Sequence, residues 1–208
     1  MAEMKYKYIA FDMDGTLINT LPVVLRTMQQ ALQECTGRSY AIEDLHFAMG
    51  LSNRDTFEQL GIEDYGPCVD RWEKLQKEAE GESEVFPQVP DVLHELKRRG
   101  CILGIVTSRE KREYEAIQNA IKEIEPFFDY VVLSDMTEKN KPAPEPMMKF
   151  IELCKGTLPE TLYIGDAYCD MQCAASAGVH GALALWGALN KKVKADYYLK
   201  EPQDILDI

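Results

Sequence analysis

Nowhere in this chain of 208 residues do about 18 apolar residues follow one another, so no segment reads as a membrane span. The opening Met-Ala-Glu-Met-Lys-Tyr-Lys-Tyr has no apolar core of signal-peptide length, and a cytoplasmic protein is the expectation. Six cysteines (Cys35, Cys68, Cys101, Cys154, Cys169, Cys173) are scattered without a Cys-x-x-Cys pair, and a chain of this length needs no disulfide staples. Cys169 and Cys173 could share a helix face, where packing is the plain reading and a metal or redox role the sharper one. Positive charge is scarce as well, with 23 Lys and Arg against 35 Asp and Glu for a formal net charge of −12. Long-range attraction to nucleic acid or anionic membrane is excluded by that balance. An anionic substrate must then be captured by local cations, backbone N–H groups or a metal ion. Internal repeats and low-complexity stretches are absent too.

What is present has an α/β pattern. Residues 6–11 are an apolar run closed by Asp12 and read as a buried strand. Thr20 and Pro22 suit the start of a helix ending near Cys35, with Thr20 as its cap. From there to about residue 84 no strand-like run occurs. Short helical patterns near 42–47, 54–60 and 68–80, punctuated by Gly50, Gly61 and Gly66, suggest a small all-helical insert. After residue 85 strands alternate with helices: helix 91–99, strand 101–107, helix 111–124, strand 130–134, helix 146–154, strand 161–165, helix 168–177, strand 179–185. This predicts a Rossmann-like parallel sheet covered on both faces, residues 1–17 and 85–208, with a helical domain at 18–84 inserted after the first strand. In such sheets ligands bind beyond the carboxyl ends of the strands.

Chemistry-bearing residues collect at those ends. The first strand runs into Asp12-Met13-Asp14-Gly15-Thr16, the second into Thr107-Ser108-Arg109, the fourth into Gly165-Asp166 and Asp170, and Lys141 lies just before the helix 146–154. One Asp at a strand end is as readily a turn or helix cap. Carboxylates that converge repel, so one must be protonated or a cation must sit among them. All-oxygen ligation points to Mg²⁺.

These segments resemble the haloacid dehalogenase superfamily. Asp12 to Leu17 match its Asp-x-Asp-Gly-Thr-Leu motif, Thr107 and Ser108 its Ser/Thr motif, Lys141 to Pro144 its Lys-Pro-x-Pro, and Gly165-Asp166, Asp170, Ala174-Ala175 and Ala177-Gly178 its fourth motif. The insert is similar to the family's C1 cap, and the subgroup resembled is that of phosphoglycolate phosphatases. The resemblance implies a Mg²⁺-dependent hydrolase of a small phosphorylated metabolite, a monomer or homodimer. Asp12 would be the nucleophile and Asp14 the acid/base. Lys141 and Ser108 would stabilise charge, with Thr107 as the alternative phosphate donor. Mg²⁺ would be held by Asp12, the Asp14 backbone carbonyl and Asp166, with Asp170 orienting metal waters or Lys141. Gly15 would let the chain turn past the phosphate.

Other residues carry weaker signals. Arg109 could reach a substrate anion or be an exposed helix-start residue, and Lys139 reads as solvated. Arg54, in the loop 50–55, could contact a substrate anion from the cap. The return from the cap has Pro87-Gln88 where the family usually has Pro-Gly, so that turn is expected to differ. Val24 stands where mutases tend to carry His, and Thr16 and Asp14 are residues that mutases and dehalogenases respectively tend to lack. A pyrophosphatase or a sugar-phosphate phosphatase or mutase is the alternative within phosphoryl transfer. A phospho-accepting regulatory protein without turnover is the alternative from another class.

Overall fold

The computed structural model describes residues 5–48 and 53–208, except the side chains of residues 53–55 and 80. Its elements in chain order are β1 (Tyr8–Phe11), β2 (Ile18–Asn19), α1 (Leu21–Thr36), α2 (Asn53–Gln59), α3 (Gly66–Glu78), β3 (Glu84–Val85), α4 (Val89–Arg98) and β4 (Ile102–Val106). There follow α5 (Lys111–Ala116), α6 (Gln118–Ile121), β5 (Tyr130–Val132), α7 (Glu145–Cys154), β6 (Thr161–Gly165), α8 (Tyr168–Ala177), β7 (His180–Ala184) and β8 (Tyr197–Leu199). Two compact units result: Met1–Asn19 with Glu84–Ile208, and Thr20–Ser83. Among the described residues no helix is long and apolar enough to cross a membrane.

The first unit is built on a six-stranded parallel sheet in the order β5-β4-β1-β6-β7-β8. Alternate residues of each strand feed two different cores. Ile9, Phe11, Leu103, Ile105, Leu162 and Ile164 pack with Val92, Leu93 and Leu96 of α4 on one face. Tyr8, Ala10, Val106 and Tyr163 pack with Met147 and Phe150 of α7 and Cys173 and Ala174 of α8 on the other. Both faces are therefore apolar, which is why these strands read as continuous hydrophobic runs. β1 lies between β4 and β6, so the chain leaves it toward one edge of the sheet and later returns to its other side. That reversal opens a crevice at the carboxyl end of β1.

Several local expectations are corrected. The stretch 111–124 is not one helix. Ile117 has φ −98° and ψ 6°, and its N–H donates to Tyr114 O at 3.2 Å. This tighter turn keeps Tyr114, Ile117, Ile121 and Ile124 all in the core. Thr20 takes the N-cap position of α1 as expected, but its side chain makes no capping hydrogen bond there; Pro22 in the first turn sets the start. The Pro87-Gln88 turn does not abandon the glycine-type conformation, because Gln88 itself adopts φ 71°. The antiparallel pair β2–β3 and the edge strand β8 are additional elements that the apolar pattern does not predict.

Among the described residues of the second unit every regular element is a helix. Leu25, Met28 and Leu32 of α1 share one face and pack with Leu45, Phe57 and Cys68. Phe57 stacks on Tyr65 at 5.4 Å between centroids. Trp72 donates its indole N–H to Thr27 Oγ1 at 3.2 Å, which satisfies a group that would be costly to bury alone.

Candidate active site

Asp12 directly follows β1 and is 6% exposed. Its N–H still donates into the sheet, to Ile164 O at 2.8 Å. The chain then tightens: Leu17 and Ile18 N–H both donate to Met13 O, and Gly15 N–H to Ile18 O. Gly15 takes φ 82°, a conformation that favours glycine. Space demands it as well, since a Cβ there would overlap the Asp166 carboxylate.

Lys141 arrives from the segment before α7 and closes the first constellation. Its ammonium donates to Asp12 Oδ1 at 2.7 Å, Asp170 Oδ1 at 2.7 Å and Tyr163 Oη at 3.1 Å. Three donors meet three acceptors, the full capacity of an ammonium group. Asp170 sits in the first turn of α8, and its second oxygen accepts the Ala167 N–H at 3.0 Å. Tyr163 Oη lies 2.9 Å from Val106 O and 3.1 Å from Asp170 Oδ1. Asp166, at the end of β6, accepts the Thr16 hydroxyl at 3.2 Å.

Carboxylate oxygens of Asp12, Asp166 and Asp170 all lie within 4.8 Å of one another. Burial, and then the neighbouring acids, push the Asp12 carboxyl well above its usual range, against the pull of Lys141. Burial followed by the charge of Asp170 raises Asp166 to about 7. Burial works against the charged form of Lys141, yet Asp12 and Asp170 hold its pKa well above the usual value. With all groups ionised, three carboxylates face one ammonium and leave two negative charges uncompensated. A divalent cation fits that imbalance and the all-oxygen donor set.

Asp14 belongs to a separate pair. The Arg109 guanidinium donates from Nη2 to Asp14 Oδ1 at 2.7 Å and from Nε to Oδ2 at 2.8 Å. Arg109 is thus half-buried and paired, which corrects its reading as an exposed helix-start residue. Thr107 is buried, and its Oγ1 accepts the Arg109 N–H at 3.2 Å. Ser108 is exposed on the same turn. The structure thus brings Asp12, Lys141, Asp166 and Asp170 together, sets Asp14 with Arg109, and leaves Thr107 and Ser108 just past β4, the strand next to β1. Arg54 falls in α2, but its side chain lies outside what the structure describes, as do residues 49–52. Lys139 is exposed and 3.6 Å from Glu145. Cys173 is buried in the core and Cys169 partly exposed, both as free thiols.

Two contributors escaped the sequence reading. Tyr163 is a phenol within an aliphatic buried strand, and such a hydroxyl needs a partner; that signal was available. Trp186 donates its indole N–H to Thr16 O at 3.0 Å, and a Cβ on Gly187 would overlap Gly15 O. Nothing local in the sequence marks these last contacts.

The haloacid dehalogenase-like hydrolase family model matches residues 9–184. The pyrophosphatase PpaX of Bacillus mycoides is 31% identical over 210 residues, covering 99% of this chain and 97% of that protein. A Lactobacillus plantarum structure, provisionally named a phosphoglycolate phosphatase, superposes with a TM-score of 0.85 at 26% identity, covering 98% of this chain and 99% of that one. A Thermotoga maritima structure provisionally named a β-phosphoglucomutase shares the fold, with a TM-score of 0.75 at 24% identity over 97% of both chains.

Proposed function

This chain belongs to the haloacid dehalogenase-like hydrolases, and on that premise we propose that it is a Mg²⁺-dependent phosphatase of a small phosphorylated metabolite, working through an aspartyl-phosphate on Asp12. The observation that carries this reading is the sealed contact of Lys141 with Asp12 and Asp170 beside Asp166, at the crevice the sheet opens. Asp12 attacks phosphorus as the bond to the leaving oxygen breaks, and Asp14 supplies the proton to that oxygen. Water then attacks the phosphorus of the aspartyl-phosphate and loses its proton to Asp14, which releases phosphate and restores Asp12.

Lys141 fixes the Asp12 carboxylate and offsets charge that would repel an incoming phosphate. Ser108 and Thr107 offer hydroxyl and backbone donors to the transferred group, a contact type whose loss costs roughly 3–4 kcal/mol at comparable sites. The carboxylates of Asp12 and Asp166 and the Asp14 backbone carbonyl would hold the metal ion; when bound it screens the nucleophile from the phosphate. Asp170 is committed to Lys141 and the Ala167 N–H, so its part is to position Lys141. Thr20–Ser83, inserted in sequence between β2 and β3, is read as a substrate-selecting cap.

The deciding experiment measures phosphate release from pyrophosphate, phosphoglycolate, sugar phosphates and nucleotides, with and without Mg²⁺. Relatives named for pyrophosphate and phosphoglycolate place both in the panel. Asp12→Asn is expected to lower turnover by at least about 10³-fold while the thermal melt stays cooperative. Wild-type rates from that variant would remove the nucleophile.

A further inference from the structure

Arg109 is held at both backbone ends: its N–H by Thr107 Oγ1, and its carbonyl by the Ser134 N–H at 3.0 Å. Its side chain closes a two-pronged fork on Asp14. Both carboxylate oxygens are engaged by the two prongs. The group read above as donor to the leaving oxygen is therefore occupied by a guanidinium, which must let go before a proton can be carried there.

The site offers a second cation, but it has nothing to spare. The Lys141 side chain is 4% exposed with all three donors used. Arg109 and Asp14 side chains are 22% and 35% exposed, so an incoming anion can reach the fork. Because Arg109 touches the residue that serves the leaving oxygen, it stands on the leaving-group side of the reacting bond. A protein of net charge −12 draws no anion at long range, which leaves such a fork as the means of recognition.

We propose that Arg109 is a specificity-determining residue: the substrate carries a second anionic group, a carboxylate or phosphate on its leaving portion, which takes the Arg109 fork from Asp14 on binding and frees Asp14 for the leaving oxygen. This deepens the phosphatase reading and rests on it. Phosphates with uncharged leaving portions leave the fork on Asp14 and turn over poorly.

The test uses a matched pair, phosphoglycolate and 2-hydroxyethyl phosphate, which differ by a carboxylate against a hydroxymethyl group, with pyrophosphate as a second anionic substrate. The quantity read is the ratio of kcat/KM for each anionic substrate over the uncharged one, with Mg²⁺ present. In Arg109→Gln the ratio for the preferred anionic substrate is expected to fall by about 30-fold or more, the lower end for truncating one partner of a hydrogen-bonded charge pair. Arg109→Lys should restore only part of it, because a point charge cannot replace the fork. A fall of less than about tenfold, roughly 1.4 kcal/mol, overturns the proposal and leaves Arg109 as a residue that merely positions Asp14. Should Arg109→Gln fail to fold, the same threshold applies to Arg109→Lys. No phosphate release by wild type from any substrate, including the wider panel, would overturn the phosphatase reading itself. Release with an unchanged ratio would overturn only the role of Arg109.

Discussion

Two ion pairs flank the nucleophile, and they are built differently. Lys141 with Asp12 and Asp170 is closed to solvent, its three donors matched by three acceptors. Arg109 with Asp14 is half-open, and its fork meets a carboxylate on a loop. The sealed pair fixes a geometry, because any partner it lost would stay unpaired in a poorly solvated site. The open pair can exchange partners, because water or substrate can replace either side.

The largest effect should come from breaking the sealed pair. Lys141→Ala leaves the two buried carboxylates of Asp12 and Asp170 without their cation and should cost about 3–5 kcal/mol in denaturant unfolding of metal-free protein. Turnover should fall with it, and a loss under about 1 kcal/mol would show that the pair is not sealed in solution. The next test is pH. Asp166 is pushed up to about 7, first by burial and then by the charge of Asp170, from an ordinary 3.8. The fold therefore favours its protonated form, and its stabilising share is full below about 4 and lost as pH rises through 7. In metal-free protein, wild type should lose Tm relative to Asp166→Asn between pH 5 and 8.5, and Mg²⁺ should restore it only where Asp166 is present. A gap that stays constant with pH contradicts this.

Tyr163→Phe probes the sealed pair more gently. It removes one acceptor from Lys141 and one hydroxyl contact, worth about 1–2 kcal/mol in equilibrium unfolding. No change in stability would mean that the phenol is not needed to complete the lysine's shell. The smallest effect belongs to the open pair. A double-mutant cycle on Arg109 and Asp14 should give a coupling to stability of at most about 1 kcal/mol. A coupling as large as that of the sealed pair would erase the contrast.

Much of this was legible in the sequence, for identifiable reasons. Parallel strands buried on both faces show as apolar runs, and the residues just past them had to gather at one end of the sheet. Asp12, Asp166 and Asp170 could be placed by that rule alone. β8 and the β2–β3 pair could not, because two or three residues carry too little pattern. The break at Ile117 was invisible because apolar spacing persists through it. Arg109 and Asp14 stand 95 residues apart in the chain, so local sequence offers no sign that each is the other's partner. Gln88 shows the opposite case, an expected departure that the backbone absorbs by holding a non-glycine residue in the left-handed region, at a cost of about 1–2 kcal/mol.

The chain has two tryptophans, one in each compact unit. Trp186 is hydrogen-bonded to the carbonyl of Thr16, directly behind the turn that carries Asp12 and Asp14. With Trp72 replaced by phenylalanine, fluorescence excited beyond the absorption of the ten tyrosines would arise from that one indole. The protein therefore has its own optical probe of the nucleophile loop, readable in a stopped-flow cell without a dye or label.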